Sequence, residues 1–270
     1  MAPGMPEAFF IRDGDRFLPT ELTRGPWDPN AQHGGPPAAL LGTALEQCER
    51  SGDTMVVRVT FEILKPIPLA PLTVATRMLR SGRSVQVVAG SLSAGSEEIL
   101  RAHALRIRTA DIEVPEAQSN PPPGPEHGTP PRYFPVSIDA GYHTAMEGSF
   151  VRGNFNEIGS AIAWMRMRYP LIAGEAVTPL ARVLIAADSG NGVSSALDFR
   201  RFIFINPDLT VYLHRYPAGE WVCLDAETTV SRRGVGLATS TLYDLQGPIG
   251  RGLQSLFVAE RSAAKGKPAP

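Results

Sequence analysis

The alternation of apolar and polar positions divides the chain into two stretches that carry the same order of elements. Near the start, Ala8–Ile11 and Arg16–Leu22 flank Arg12-Asp13-Gly14-Asp15, and an Asp-Gly pair between two short apolar runs predicts a tight hairpin. Leu41, Ala44, Leu45 and Cys48 recur at helical spacing, so a helix is expected over Pro36–Glu49, entered through His33-Gly34-Gly35. Val57, Val59, Phe61 and Ile63 then alternate with Arg58, Thr60 and Glu62, which predicts a half-buried strand stopped by Lys65-Pro66-Ile67-Pro68. Leu72–Leu79, Ser84–Leu92 and Glu98–Ile107 read as three further strands, joined by turn-rich Arg80-Ser81-Gly82-Arg83 and Ser93-Ala94-Gly95-Ser96.

The second stretch predicts strands at Phe150–Phe155 and Ala161–Tyr169, a helix from Pro179, and strands at Arg200–Ile205, Leu209–Tyr216, Trp221–Val230, Gly236–Tyr243 and Gly250–Val258. The repeat is one of pattern rather than of letters. Pro37 and Pro179 stand 142 residues apart, and that offset carries Glu46 onto Asp188, while the turns Ser81-Gly82-Arg83-Ser84 and Ser231-Arg232-Arg233-Gly234 correspond roughly. A duplicated α+β unit explains this order: one helix on a curved antiparallel sheet buries one face, so two such units pair to cover the rest. Between them, Pro121-Pro122-Pro123-Gly124-Pro125 and Pro130-Pro131 can build neither regular structure. The expected division is a unit over 1–112, a Pro-rich linker over 113–134 and a second unit over 135–270. His127 and His143 have no second plausible ligand nearby and are expected to be solvated.

One acid stands out. In Thr178-Pro179-Leu180-Ala181-Arg182-Val183-Leu184-Ile185-Ala186-Ala187-Asp188, Thr178 is a good N-cap and Pro179 suits the first helical position. The apolar residues make a stripe wide enough that the helix should be wrapped by apolar surroundings, and Ser189-Gly190-Asn191-Gly192, tolerant of positive φ, should end it just past the acid. Asp188 then lies at the unfavourable end of its own helix dipole, a placement suited either to a polar surface loop or to a purpose other than stability. At the other helix, Gly34 and Gly35 let backbone come close to a ligand where N–H groups point out of the helix start, or else simply make a tight entry turn.

Composition narrows the classes. With 270 residues and 43% hydrophobic content the chain can build substantial cores, and 26 basic against 27 acidic residues give a net charge of -1, which offers nothing to nucleic acid. Cys48 and Cys223 have the spacing of neither a disulfide framework nor a metal site, so both are expected to be reduced core residues and no metal is expected. No basic leader precedes an apolar run and no stretch reaches the length of a membrane span; a soluble, cytoplasmic protein with no membrane partner is the expectation.

The chain resembles the acyl-CoA thioesterase II-like proteins, in which two hot-dog domains are fused. The resemblance rests on Gly34-Gly35 followed by Ala38-Ala39-Leu40-Leu41, on Ala186-Ala187-Asp188, on Asp208-Leu209-Thr210-Val211-Tyr212-Leu213-His214-Arg215, on the strand from Glu220-Trp221, and on Gln254. It implies two tandem hot-dog domains, each a curved antiparallel sheet around a central helix, paired into one continuous sheet. It also implies hydrolysis of acyl-CoA in lipid metabolism without a cofactor, Asp188 matching the catalytic aspartate and Gln254 the glutamine of a water-binding trio. Asn206 falls where the family often has a threonine. His33 stands where well-known bacterial members carry an aromatic residue.

The chemistry is coherent on these residues. A thioester carbonyl accepts direct attack by water if one group takes the proton and others hold the oxygen in line. Asp188 can act as base, the Asn206 and Gln254 amides can hold the water, and the N–H groups after Gly34-Gly35 can meet the oxyanion. His33, Gly34 and Gly35 are thus expected at the substrate carbonyl, and Arg232 and Arg233 at the phosphates of CoA. A serine hydrolase is disfavoured because Gly-x-Ser-x-Gly is absent, and His214 is expected to be structural or superficial. An enoyl-CoA hydratase of the same fold would show a histidine a few residues from the acid, which Asp188-Ser189-Gly190-Asn191-Gly192-Val193 does not. A non-catalytic acyl-CoA-binding protein is the rival of a different class. Self-association into a homodimer or larger assembly is also expected, through sheet edges or faces.

Overall fold

Apolar residues on alternate positions need one covered face, and here the strands of both halves gain it by joining a single antiparallel sheet. The computed structural model describes residues 7–50, 52–115, 121–133 and 139–261. The first half supplies β1 (Phe10–Asp13), β2 (Arg16–Pro19), α1 (Gly35–Gln47), β3 (Thr54–Ile63), β4 (Leu72–Ser81), β5 (Val85–Ala94) and β6 (Glu97–Arg108). The second supplies α2 (Tyr142–Ala145), β7 (Met146–Arg152), β8 (Ala161–Met167), α3 (Pro179–Ala187), α4 (Gly190–Val193), β9 (Phe202–Ile205), β10 (Asp208–Leu213), β11 (Val222–Val230), β12 (Val235–Asp244) and β13 (Gly247–Glu260).

The strand order is β1-β2-β4-β5-β6-β3-β10-β13-β12-β11-β8-β7, with β9 added to β13. The halves meet where β3 pairs with β10, and Thr60 faces Thr210 with the two hydroxyls 3.2 Å apart. About this pair the ladders repeat: Thr60 faces His103 as Thr210 faces Leu253, and Ala89 faces His103 as Thr239 faces Leu253. The strands thus repeat at an offset of 150 residues, against 142 for the helices, so the second half holds eight more residues between helix and central strand. The extra length lies before β9, because β9 and β10 together repeat β3 at the strand offset: Ile205 faces Phe257 as Met55 faces Ile107, which puts Asn206 at the place of Val56.

Both helices lie in one apolar core shared by the two halves. Leu40, Leu41 and Leu45 of α1 and Leu180, Val183, Leu184 and Ile185 of α3 are fully or almost fully buried, each worth about 1.5–3 kcal/mol in transfer terms. The helices touch directly, and a Cβ on Gly42 would overlap the Leu184 side chain. Cys223 is buried and Cys48 half-buried, both as free thiols. Among the described residues no helix is long and apolar enough to cross a membrane.

Two local expectations change. β7 starts at Met146 rather than Phe150, because Met146–Ser149 already pair with Trp164–Met167 of β8, and Gly153 at φ 70° ends it before Phe155. The Pro-rich stretch is more than a tether: Trp164 Nε1 donates to the Pro123 carbonyl at 2.7 Å and Ser149 Oγ to that of Pro125 at 2.6 Å. Residues 116–120 and 134 of it lie outside the described residues. His127 is exposed as expected, whereas His143 is half-buried with its ring edge-on to Tyr133.

Asp244, at the β12–β13 turn, is fully buried and accepts from both Arg215 terminal nitrogens at 2.6 Å and from the N–H groups of Ala218 and Gln246. Burial acts to raise its pKa, but Arg215 and the two N–H donors outweigh burial and hold the carboxyl below its ordinary value. Asp244→Asn should destabilise the fold by about 3 kcal/mol, because it leaves the guanidinium without its counter-charge. A depressed folded pKa gives stability that is full above the ordinary value of 3.8 and lost as pH falls through the folded one. Urea melts of the two proteins should therefore differ most near neutral pH and converge toward about pH 2.

Candidate active site

The second helix begins as its sequence requires. Thr178 Oγ1 accepts from the Ala181 N–H at 3.1 Å, Pro179 fills the first position, and seven of the next eight residues are buried. Its end differs from expectation. Asp188 closes α3 with helical dihedrals (φ -66°, ψ -13°), and the chain turns at once into α4. Neither Gly190 nor Gly192 takes a positive φ. What Gly190 provides is space, since a Cβ there would stand 2.9 Å from Gln254 Oε1 and 3.1 Å from Ser240 Oγ.

That space lets Gln254 reach the acid. From the middle of β13, Gln254 Nε2 donates to the Asp188 carbonyl at 3.0 Å and to Oδ1 at 3.3 Å, while its Oε1 accepts from the Asn191 N–H at 3.1 Å. Asn206, just after β9, donates from Nδ2 to the same Oδ1 at 2.8 Å. The Asp188 side chain is only 5% exposed. Both amides thus address the carboxylate itself; Gln254 spends both its N–H groups on Asp188, whereas Asn206 keeps a second N–H for another acceptor.

The other carboxylate oxygen faces the start of α1. A Cβ on Gly34 would lie 2.8 Å from Oδ2, and one on Gly35 would lie 2.5 Å from the Ile185 carbonyl oxygen, so the two glycines permit a helix start to press against a helix end. Asp188 therefore sits at the unfavourable end of α3 and at the favourable, positive end of the 13-residue α1. The expected row of N–H groups after the glycines does not form, because Pro36 and Pro37 have none and the Ala38 N–H is bonded to the Gly34 carbonyl at 3.0 Å. Of the two glycine N–H groups, that of Gly35 donates to His33 Nδ1 at 3.1 Å and that of Gly34 bonds nothing among the described residues.

His33 completes the enclosure. Its Nδ1 is 3.0 Å from Asp188 Oδ2 and 3.1 Å from the Gly35 nitrogen, and its ring stacks on Tyr142 with centroids 3.7 Å apart and planes 7° from parallel. Tyr142 is fixed in turn by the Ile185 carbonyl at 2.7 Å and Ser189 Oγ at 2.9 Å. Burial lowers the His33 pKa below its ordinary 6.5, with Asp188 pulling the other way. Burial also pushes the Tyr142 hydroxyl up, so it stays protonated. Tyr142 was not legible as a site residue: it opens a four-residue helix with no periodicity to mark it.

The structure brings His33, Gly34, Gly35, Asp188, Asn206 and Gln254 together. Arg232 and Arg233 are not among them; they are exposed in the β11–β12 turn, where the Arg233 N–H bonds Ser231 Oγ at 3.2 Å. His214 is exposed on its strand end. Two surface clefts of about 470 and 530 Å³, lined in part by Tyr133, His143 and Arg168 and by Arg152, Asp225 and Arg251, do not touch Asp188. The counterpart acid is differently employed: Glu46 Oε1 accepts from Tyr216 at 2.6 Å, Arg106 Nη1 bonds the Glu46 carbonyl at 3.1 Å, and the first-half position equivalent to Gln254 is Ala104.

Comparison with known proteins identifies the family and the fold. Residues 23–107 match the family model of the acyl-CoA thioesterase N-terminal domain and residues 115–258 that of the acyl-CoA thioesterase C-terminal domain. No curated protein sequence matches the chain significantly. Among solved structures, a Thermobifida fusca YX protein provisionally assigned as a thioesterase II is similar at 18% identity over 94% of this chain and 96% of its own, with a TM-score of 0.73. A hot-dog-fold protein of unknown function from Alicyclobacillus acidocaldarius is similar at 17% identity, over 94% and 96%, with 0.71. The acyl-CoA thioesterase II TesB2 of Mycobacterium marinum is similar at 14%, over 95% of each chain, with 0.61. The fold is two tandem hot-dog domains sharing one sheet.

Gly35→Ala should disturb the site from its backbone. The added methyl has no flexible side chain to displace at the Ile185 carbonyl, so α1 must retreat from α3. A loss of about 1–3 kcal/mol in stability is expected, read by denaturant titration, with turnover reduced more than this alone would explain.

Proposed function

Because the chain belongs to the acyl-CoA thioesterase family and is a thioester hydrolase, we propose that it hydrolyses acyl-CoA to a free carboxylic acid and CoA, with a water activated at Asp188. The observation that carries the reading is the enclosure of one carboxylate by two amides, a histidine and the glycine start of α1. Water adds to the thioester carbonyl, its oxygen forming the new C–O bond, and the C–S bond breaks as the tetrahedral intermediate collapses. The water proton passes to the site and then to the departing sulfur, so the products are the acid and the thiol. Asn206 and Gln254 fix the carboxylate, and Asn206 offers its remaining N–H to the attacking water. The unbonded N–H of Gly34, at the positive end of α1, is placed to meet the carbonyl oxygen as it gains charge.

A single competent site per chain belongs to this reading. Glu46 has neither amide partner, and Tyr216 occupies its carboxylate. The same proposal gives Arg232 and Arg233 the CoA phosphates, supported by their exposure at a turn free of ion pairs among the described residues. It also includes assembly with a second copy and a cytoplasmic location. The first is supported by the exposed row Val235, Phe257 and Ile205, which stand opposite one another across β12, β13 and β9.

Asp188→Asn should lower kcat on acyl-CoA substrates by at least about a hundredfold while Glu46→Gln stays within a few-fold, measured by release of free thiol. Equal losses would mean that both acids serve one reaction. Replacing Arg232 and Arg233 together by Ala should raise KM for acyl-CoA severalfold with little change in kcat; an unchanged KM removes them from the CoA site.

A further inference from the structure

We propose that Trp27, Arg201 and Arg261, beside Arg232 and Arg233 at the outer end of β9 and β13, hold the nucleotide end of the substrate, its adenine on the indole and its phosphates on the guanidinium groups. The inference rests on the acyl-CoA reading above and names where the part of CoA that does not react is held.

The patch is built from neighbouring strand ends. Phe202 at the start of β9 faces Glu260 at the end of β13, and just beyond them the Arg261 N–H donates to the Arg201 carbonyl at 2.8 Å. On the other side of β13 the β11–β12 turn carries Arg232 and Arg233, and its Gly234 carbonyl accepts from the Val258 N–H at 2.9 Å. Arg200, Arg201, Arg232, Arg233 and Arg261 are all exposed there, against the acids Asp198 and Glu260. Asp198 is taken by Arg200 at 2.9 Å, whereas the other four arginines make no ion pair among the described residues. Arg261 Nε donates to the Phe199 carbonyl at 2.9 Å, which leaves its two terminal nitrogens without a partner among the described residues. In a chain whose net charge is only -1, so local an excess of positive charge fits an anionic ligand.

An aromatic path joins the patch to the catalytic carboxylate. Phe202, Phe204 and Asn206 alternate along one face of β9 and its continuation, the face on which buried Val258 stands opposite Phe204. The Phe204 ring meets Phe199 edge-on with centroids 5.1 Å apart, Phe199 meets Trp27 at 4.9 Å, and Trp27 is 52% exposed. Trp27 belongs to the first unit. Its loop is closed by the Gly25 N–H on the Ala31 carbonyl at 2.9 Å and runs directly into His33, whose own N–H bonds the Thr23 carbonyl at 2.8 Å. One loop therefore sets His33 beside Asp188 and Trp27 on Phe199, whose carbonyl Arg261 holds.

Distance and chemistry select the ligand. Arg201 precedes Asn206, the partner of Asp188, by five residues, so patch and carboxylate stand about 16 Å apart at the usual rise of a strand. CoA carries its diphosphate and its 3′-phosphate at the far end of a pantetheine arm, and that arm, extended, covers the gap. Guanidinium groups meet phosphate oxygens in paired hydrogen bonds, and an indole offers a flat face to a purine. A second copy of this chain is the poorer occupant, because a two-fold contact here would set arginines against arginines. The exposed row Val235, Phe257 and Ile205 lies on the opposite face of the sheet, since Phe257 and Ile205 alternate with Val258 and Phe204.

Pairing a substrate that has the nucleotide with one that lacks it tests the assignment. With the same acyl group on CoA and on pantetheine, the wild-type protein should favour acyl-CoA by at least about tenfold in kcat/KM. Trp27→Ala, and Arg201→Gln combined with Arg261→Gln, should each lose most of that preference through a higher KM for acyl-CoA. A merely structural role would depress both substrates alike; an unchanged ratio in the variants, or no preference in the wild type, overturns the proposal. Thermal melts report whether each variant folds, and the double arginine variant, whose glutamine can still donate to the Phe199 carbonyl, serves where Trp27→Ala does not. Adenosine 3′,5′-bisphosphate, which has no thioester, should bind the wild-type protein, compete with acyl-CoA and lose about tenfold in affinity in both variants. Absence of binding, or equal binding to wild type and variants, overturns the site. That titration needs no turnover, so a protein inactive on every acyl-CoA would sink the hydrolytic reading while the bisphosphate still decides the nucleotide site.

Discussion

The approach of the α1 start to the α3 end, with one carboxylate between them, is the contact on which the rest depends. It sets the unfavourable terminus of one helix dipole against the favourable terminus of another, so Asp188 is placed where its own helix would not hold it unaided. Backbone approaches this close tolerate no side chain, which is why two glycines stand at the start of α1 and another follows the acid at Gly190. Neither half can make this site alone. His33 and the glycines come from the first unit, Asp188, Asn206 and Gln254 from the second.

The shared sheet makes that approach dependable. Pairing of β3 with β10 continues the ladder from one half to the other, and the two helices then share one apolar core instead of each facing solvent on its uncovered side. Arg215 and Asp244 brace the segment that carries Tyr216 toward Glu46, so the same second-half strand that completes the sheet also occupies the counterpart acid. Duplication gives two helix ends with acids, and the extra chain in the second half makes them unequal. The strand positions that bear Asn206 and Gln254 bear Val56 and Ala104 in the first half.

Periodicity along the chain was enough to determine the two-unit organisation, both central helices, most strands and the prominence of Asp188. These are local or repeated properties: a stripe at 3.6 residues, an alternation at two, a cap at Thr178 and Pro179. The absence of usable N–H groups at Pro36 and Pro37 was equally written there, since proline has no donor in any context. Only the tertiary structure decided what the acid meets. Which oxygen the amides take, the stacking of His33 on Tyr142, the occupation of Glu46 by Tyr216 and the distance of Arg232 and Arg233 from the acid all join residues far apart in sequence, and no periodicity encodes such a meeting. Tyr142 shows the limit most clearly. Its four-residue helix is too short to leave a pattern, and its importance comes from the ring it supports and the two atoms that hold it, all brought there by folding.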